Sequence, residues 1–150
     1  MALAASPAMT ARLLNLIRYL LNESALDPKL RELAILKLTK ANGSAYAFAH
    51  HVILGERVGL SKEQIQQLHN YKHSPLFNEL EKQVIQFAEE LTLQGKVGEA
   101  LFWQVRRALP LDQLVDLITA IGLWNGMSRI MNAFEIDPEM KSTEVLEWSW

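Results

Sequence analysis

The chain has 150 residues, of which 49% carry apolar side chains and 21% are charged, with a formal net charge of -2. That balance describes one globular domain able to bury its own core, and it offers no basic stripe for a nucleic-acid backbone. With no cysteine in the chain, a disulfide framework, a thiolate zinc site, a cysteine nucleophile and a dithiol redox pair are all excluded.

The opening MALAASPAM has no basic n-region, and the apolar stretch after it is interrupted by Arg12 and Arg18, so a cytoplasmic chain without a signal peptide is expected. Ser6-Pro7 and Asp27-Pro28 each place a capping side chain before a proline at the first helical position, where the missing N–H costs nothing. They predict helices over 7–22 and 28–41. A third helix, over 44–58, begins at Ser44 and stops before Gly59. Ser61, with Gln64 three residues on, is a capping box for a fourth over 61–71. Ser74-Pro75 repeats the first device ahead of an amphipathic helix over 76–94, whose apolar stripe includes Phe77, Leu80, Val84, Phe87 and Leu91, and Gly95 follows as its C-terminal cap.

Helices over 98–108 and 111–132 and an irregular tail complete an all-α chain of seven helices. No strand alternation, repeat or linker divides it, so a single domain is expected. The last helix is apolar around most of its circumference, which predicts burial both by the core and by another subunit. Its run from Leu114 to Met127 contains Asp116 and Asn125 and falls short of the ~20 residues a membrane span requires. Gly122 and Gly126, four apart, leave a notch read as ordinary helix packing. Trp148 and Trp150 in the tail are candidates for docking on a neighbouring subunit.

Chemistry concentrates in residues 41–55, which carry no formal charge, so their polar groups stand out. On a helix starting at Ser44, the positions Ser44, Ala47 and His51 share one face, and Tyr46 and His50 form a neighbouring i, i+4 pair. A buried histidine there wants a partner. Glu32, on the preceding helix among Leu30, Leu33, Ala34 and Leu36, is the natural one, and a carboxylate against an imidazole is a proton-transfer unit. Two alternatives stay open: His51 as a satisfied core residue, and Glu32 as a surface residue paired with Lys29 or Arg31. Adjacent histidines point about 100° apart on a helix and make no metal pair. His69 and His73 have i, i+4 spacing but sit at a fraying helix end. No metal and no cofactor are expected.

The residues Arg31-Glu32-Leu33, Gly43 to His51, Gly59-Leu60-Ser61, Phe87 to Leu91, and Gly122 to Asn125 with Arg129 and Asn132 resemble the carboxymuconolactone decarboxylase / alkylhydroperoxidase D-like (AhpD-like) family over about residues 10–137. The resemblance implies an AhpD-like helical bundle. In the family's peroxidase branch a glutamate is followed twelve residues later by Cys-x-x-Cys and then by a histidine four residues after the second cysteine. Glu32 and His51 match the two ends of that frame, while Ser44 and Ala47 stand at the cysteine positions. A serine hydroxyl cannot replace a thiolate toward peroxide, so dithiol peroxidase chemistry is excluded.

What the resemblance leaves is the cysteine-free decarboxylase branch, acting on a small anionic metabolite such as a carboxylated unsaturated lactone. It implies His51 as proton donor, Glu32 as the group that orients it, Ser44 and Tyr46 as further catalytic candidates, and His50, Trp124, Asn125 and Arg129 as substrate-binding candidates. Relatives with the tyrosine motif often carry acidic residues near Ser44 and Tyr46, where this chain has Ala45 and Ala47, and the alternative is a non-catalytic small-molecule binding or structural protein, or an accessory to antioxidant defence. The family also implies a homo-oligomer, trimeric or hexameric, and neither a nucleic-acid nor a membrane partner is expected.

Overall fold

The computed structural model describes residues 5–136, so the tail with Trp148 and Trp150 lies outside the described residues. Seven α-helices follow in order: α1 (Pro7–Asn22), α2 (Pro28–Ala41), α3 (Ala45–Arg57), α4 (Lys62–Gln66), α5 (Glu79–Gln94), α6 (Glu99–Ala108) and α7 (Leu111–Ala133), with a 3-10 turn at Gln67–Asn70. No strand occurs among the described residues.

Local punctuation explains most boundaries. Asp27 accepts from the Lys29 amide at 2.8 Å and Pro28 opens α2, as anticipated. Ser61 and Gln64 form the expected capping box. Gly59 and Gly95 adopt φ of +93° and +72°, the left-handed conformation that ends α3 and α5. Gly43, at φ +61°, turns the chain from α2 into α3 in the same way.

One start and one cap differ from expectation. α5 begins at Glu79, not 76, because Asn78 and Glu81 make a reciprocal capping box at 2.9 Å each way, while Ser74 merely accepts from the Leu76 amide. Ser6 leaves α1 without a side-chain cap, so Pro7 alone marks that start.

α2 is the central helix. It packs against α3, α5 and α7, and every residue from Leu30 to Leu36 is buried, including Arg31 and Glu32. On one side lies a core of Leu20, Ile35, Phe87, Leu117 and Ile121; on the other, Leu33, Leu36, Phe48, Ile65 and Ile85. Lys37, also on α2, ties to Glu89 of α5 at 2.7 Å, and Tyr71 donates to the same carboxylate at 2.8 Å. Burial and Glu89 push the Tyr71 phenol well above its ordinary range, which keeps it a donor.

The all-round apolar pattern of α7 resolves into two faces. Leu114, Leu117, Ile121, Trp124 and Met127 are buried, whereas Leu111 and Val115 are more than half exposed, at 58% and 52%. Gly122 and Gly126 lie on that outer side, and a Cβ added to either would meet no atom within 4 Å. Among the described residues nothing fills the notch, so the helix packing expected of it is not made within them. Among the described residues no helix is long and apolar enough to cross a membrane.

Candidate active site

Because α2 and α3 are packed side by side, Glu32 and His51 meet in the interior, with 0% and 3% of their surfaces exposed. His51 Nδ1 lies 2.7 Å from Glu32 Oε2, and Arg31 Nε donates to Glu32 Oε1 at 3.0 Å. With a guanidinium on one oxygen, the carboxylate acts as acceptor for the imidazole. That assigns the proton to Nδ1 and leaves Nε2 as the ring nitrogen available to bind or exchange a proton. Arg31 does more than pair. Its Nη1 donates to the carbonyls of Leu20 at 2.8 Å and Leu21 at 3.4 Å, the C-terminal carbonyls of α1 that have no partner within the helix.

Beside this triad is a cavity of about 180 Å³. α1 contributes Ile17 and Leu21, α7 contributes Trp124, Met127 and Met131, and α3 contributes Tyr46, Ala47, His50, His51 and Leu54. Among the described residues, the ionisable groups on its wall are Tyr46 and the two histidines. The His51 ring stands edge-on to Trp124, with centroids 5.3 Å apart and planes at 84°, and edge-on to His50 at 5.7 Å. Desolvation, His51 and Arg57 lower the His50 pKa below the ordinary histidine value, against an opposing pull from Glu32. At neutral pH His50 is thus a neutral imidazole at the rim.

The structure brings together Glu32, Tyr46, His50, His51 and Trp124 from among the residues singled out in the sequence. Ser44 is wholly buried directly before α3, and its hydroxyl has no hydrogen-bond partner. Asn125 and Arg129 stand elsewhere. The Asn125 amide donates to Thr92 Oγ1 and to the Ile121 carbonyl, both at 3.0 Å, and its oxygen accepts from Asn42 at 2.8 Å, so it staples α7 to α5 and to the end of α2. Arg129 is exposed and donates to Asn125. The physical reason is helical phase. Trp124, Met127 and Met131 repeat at i, i+3 and i+7 and share the cavity face, while 125 and 129 lie about 100° and about 140° around the axis from Trp124. Replacing Asn125 by alanine is therefore expected to lower stability by about 1–2 kcal/mol in a denaturant titration, through the partners it strands, and to leave the cavity's ligand preference unchanged.

Lys29 pairs with Glu81 at 2.8 Å rather than with Glu32, and Arg57 is exposed. His69 and His73 are both exposed, His69 Nδ1 being bonded to the Gln66 carbonyl at 2.8 Å. No cluster of three metal-ligating side chains occurs among the described residues. Sequence reasoning had Arg31 as an alternative surface partner for Glu32 and missed its buried role. It also missed the cavity wall formed by Ile17, Leu21, Met127 and Met131, whose helical spacing was the available signal.

The sequence profile of the carboxymuconolactone decarboxylase family matches residues 6–90, a stretch that holds Arg31, Glu32, Ser44 and His51. The chain belongs to this family. α7, with Trp124, lies beyond the matched residues. A relative in Bacillus subtilis (strain 168), the uncharacterized protein YdfG, is 26% identical over 110 residues, covering 72% of this chain and 75% of its own. Among solved structures, ATU0492 of Agrobacterium tumefaciens, a protein of unknown function provisionally described as an antioxidant defence protein AhpD, superposes with a TM-score of 0.85 at 22% identity, covering 93% of this chain and 97% of that one. The debrominase Bmp8 superposes with a TM-score of 0.84 at 14% identity over 96% of this chain and 78% of its own. Its cysteine-to-alanine variant bound to 2,3,4-tribromopyrrole gives 0.81 at 15% identity, with the same coverage. At these identities the structural matches establish the shared AhpD-like all-α fold.

Proposed function

We propose that this member of the carboxymuconolactone decarboxylase family performs acid-base chemistry of the decarboxylase (lyase) type on a small metabolite, with His51 as the proton-transfer group. The observation that carries this reading is a histidine backed at Nδ1 by a buried glutamate and set in the wall of a cavity. In decarboxylation of a carboxylated unsaturated lactone, the bond to the carboxylate breaks and its electron pair enters the conjugated system. Carbon dioxide leaves, and a proton from protonated His51 Nε2 quenches the resulting dienolate, after which water reprotonates the imidazole. Apolar walls favour departure of the charged group as neutral carbon dioxide. A volume of about 180 Å³ suits a single-ring molecule, and a compact heteroaromatic ring occupies one solved protein of this fold. The test is turnover of carboxylated lactones by the purified chain, compared with His51→Gln.

A second reading is favoured by the completeness of the buried pairing, in which Glu32 satisfies both Arg31 and His51. There the triad is a structural clamp, and the protein binds a small molecule without turning it over. Absence of turnover, with retained ligand binding in both chains, selects this alternative.

The outer stripe of α7, with Leu111, Val115, Ile118 and the Gly122/Gly126 notch, supports a homo-oligomer in which a second copy covers that face. Charge on it is incompatible with such burial. Val115→Glu is expected to shift a trimer or hexamer to monomer in sedimentation analysis, and an unchanged mass would remove this face from the interface.

A further inference from the structure

The carboxylated substrate proposed above is an anion, yet among the described residues no arginine or lysine lines the cavity. Arg31 is committed to Glu32 and to α1, Lys29 to Glu81, and Arg129 to Asn125. A carboxylate entering an apolar chamber needs a counter-charge, and α3 carries the side chains that can supply it. His50, Leu54 and Arg57 stand at i, i+4 and i+7 and share one face of that helix. His50 and Leu54 line the cavity. Among the described lining residues His50 alone is exposed, whereas its neighbour His51 is 3% exposed, so His50 stands where the chamber meets solvent.

Neither polar side chain of this face is spoken for. Among the described residues no hydrogen bond or ion pair engages the His50 ring nitrogens or the Arg57 guanidinium. Arg57 is not on the cavity wall, but its charge is felt at His50. Burial first, then His51 and Arg57, hold that imidazole neutral, while Glu32 pulls the other way. Helical side chains lean toward the N-terminus, which brings the guanidinium back over Leu54 toward His50. The other groups around His50 are few. α3 adds Tyr46, and α2 adds Glu32 with Arg31 already on it. α1 and α7 present Ile17, Leu21, Trp124, Met127 and Met131, none of which titrates. An anion arriving at this lip reverses the balance, because it favours the charged imidazole that burial and Arg57 disfavour.

We propose that His50, with Arg57 behind it, is a proton-coupled carboxylate site at the mouth of the cavity, fitted to a single-ring acid whose ring enters the chamber and whose carboxylate stays at the lip. His50 takes up a proton as the anion binds, and the imidazolium donates a charge-assisted hydrogen bond to the carboxylate. Arg57 supplies the fixed charge that draws anions to the opening. The dependence on pH has a definite sign. Free His50 titrates below the ordinary histidine value, and the bound anion raises it. Affinity is therefore full below the free value, falls as pH rises between the two, and levels off above the bound value. Carbon dioxide is uncharged, so loss of the carboxylate releases the proton from His50 and empties the lip for the next anion. The site thereby selects ring carboxylates over their amides and esters.

This inference rests on the decarboxylase reading for the carboxylate on the ligand, but its test needs no turnover. The probes are 2-furoate and its uncharged analogue 2-furamide. Isothermal titration calorimetry of the full chain, repeated in buffers of different ionisation enthalpy, counts the protons taken up. At neutral pH the parent is expected to take up about one proton with each furoate and to lose affinity about tenfold per pH unit as pH rises. Furamide should bind without uptake. His50→Gln should melt as the parent does, since His50 is exposed, yet lose the uptake and bind furoate roughly tenfold more weakly. Arg57→Gln should keep the uptake and weaken furoate severalfold, an effect that fades at high salt. His51→Gln should keep both uptake and affinity. No furoate binding by the parent, binding without proton uptake, or uptake that survives in His50→Gln would each overturn the proposal. Proton-coupled furoate binding without lactone turnover would keep this site and remove the decarboxylase reading. Turnover without the uptake would do the reverse.

Discussion

Replacing His51 by glutamine is expected to reduce turnover of a carboxylated unsaturated lactone by roughly 10²–10⁴-fold, the range over which a positioned general acid contributes. Glutamine retains a donor for Glu32 Oε2 and a similar reach, so the buried carboxylate keeps both partners, but its amide cannot deliver a proton to carbon. The loss should fall on kcat with little change in KM, because the proton is transferred only in the transition state. Tyr46 and His50 also line the cavity, yet neither is held by a buried carboxylate, so neither replaces the oriented imidazole. Steady-state kinetics across a set of lactone acids, with thermal melts run in parallel, measures the effect. Turnover within a factor of a few of the parent would remove His51 from the reaction.

The largest effect on stability is expected at Glu32. Truncation to alanine leaves the Arg31 guanidinium and the His51 Nδ1–H buried without their shared acceptor, at 5% and 3% exposure. Breaking a buried ion pair by removing one partner typically costs about 3–5 kcal/mol. For a chain of this size that corresponds to a melting point lower by roughly 10 °C. Glu32→Gln keeps the shape and one acceptor oxygen and should lose less. Denaturant titration and calorimetry separate the three chains. A Glu32→Ala protein that melts within a degree or two of the parent would show that Arg31 and His51 find other partners on relaxation, and the triad would then not be what fixes the imidazole.

How far the sequence reveals this architecture depends on the range of the interactions concerned. Helix ends are set by neighbours within four residues, so Asp27-Pro28, Ser61 with Gln64, Gly59 and Gly95 could all be read directly. The start of α5 went to Asn78 because two polar residues near one another, Ser74 and Asn78, both offered caps, and only Asn78 has a glutamate three residues on. The Glu32–His51 contact was legible because both lie on helices whose short connection brings them together. The centrality of α2 was not. Arg31 enters the sequence reading only as an alternative surface partner of Glu32, and only the tertiary fold shows that the two buried charges neutralise each other while the guanidinium also caps α1. Asn125 and Arg129 were drawn toward the site by proximity in sequence to Trp124, although the helical period already separates them from the face shared by Trp124, Met127 and Met131.

Arg31 has a consequence for how this protein can change. One planar group grips both the carboxylate behind the imidazole and the final carbonyls of α1, the helix that supplies Ile17 and Leu21 to the cavity. The shape of the outer wall and the charge balance at the heart of the molecule hang from a single fastener. Drift in α1 that enlarges the chamber for a bulkier guest also tugs on the anchor of the histidine, so volume and reactivity cannot be retuned independently. New specificities in this scaffold should therefore arise through the α7 wall, at Met127 and Met131, sooner than through α1.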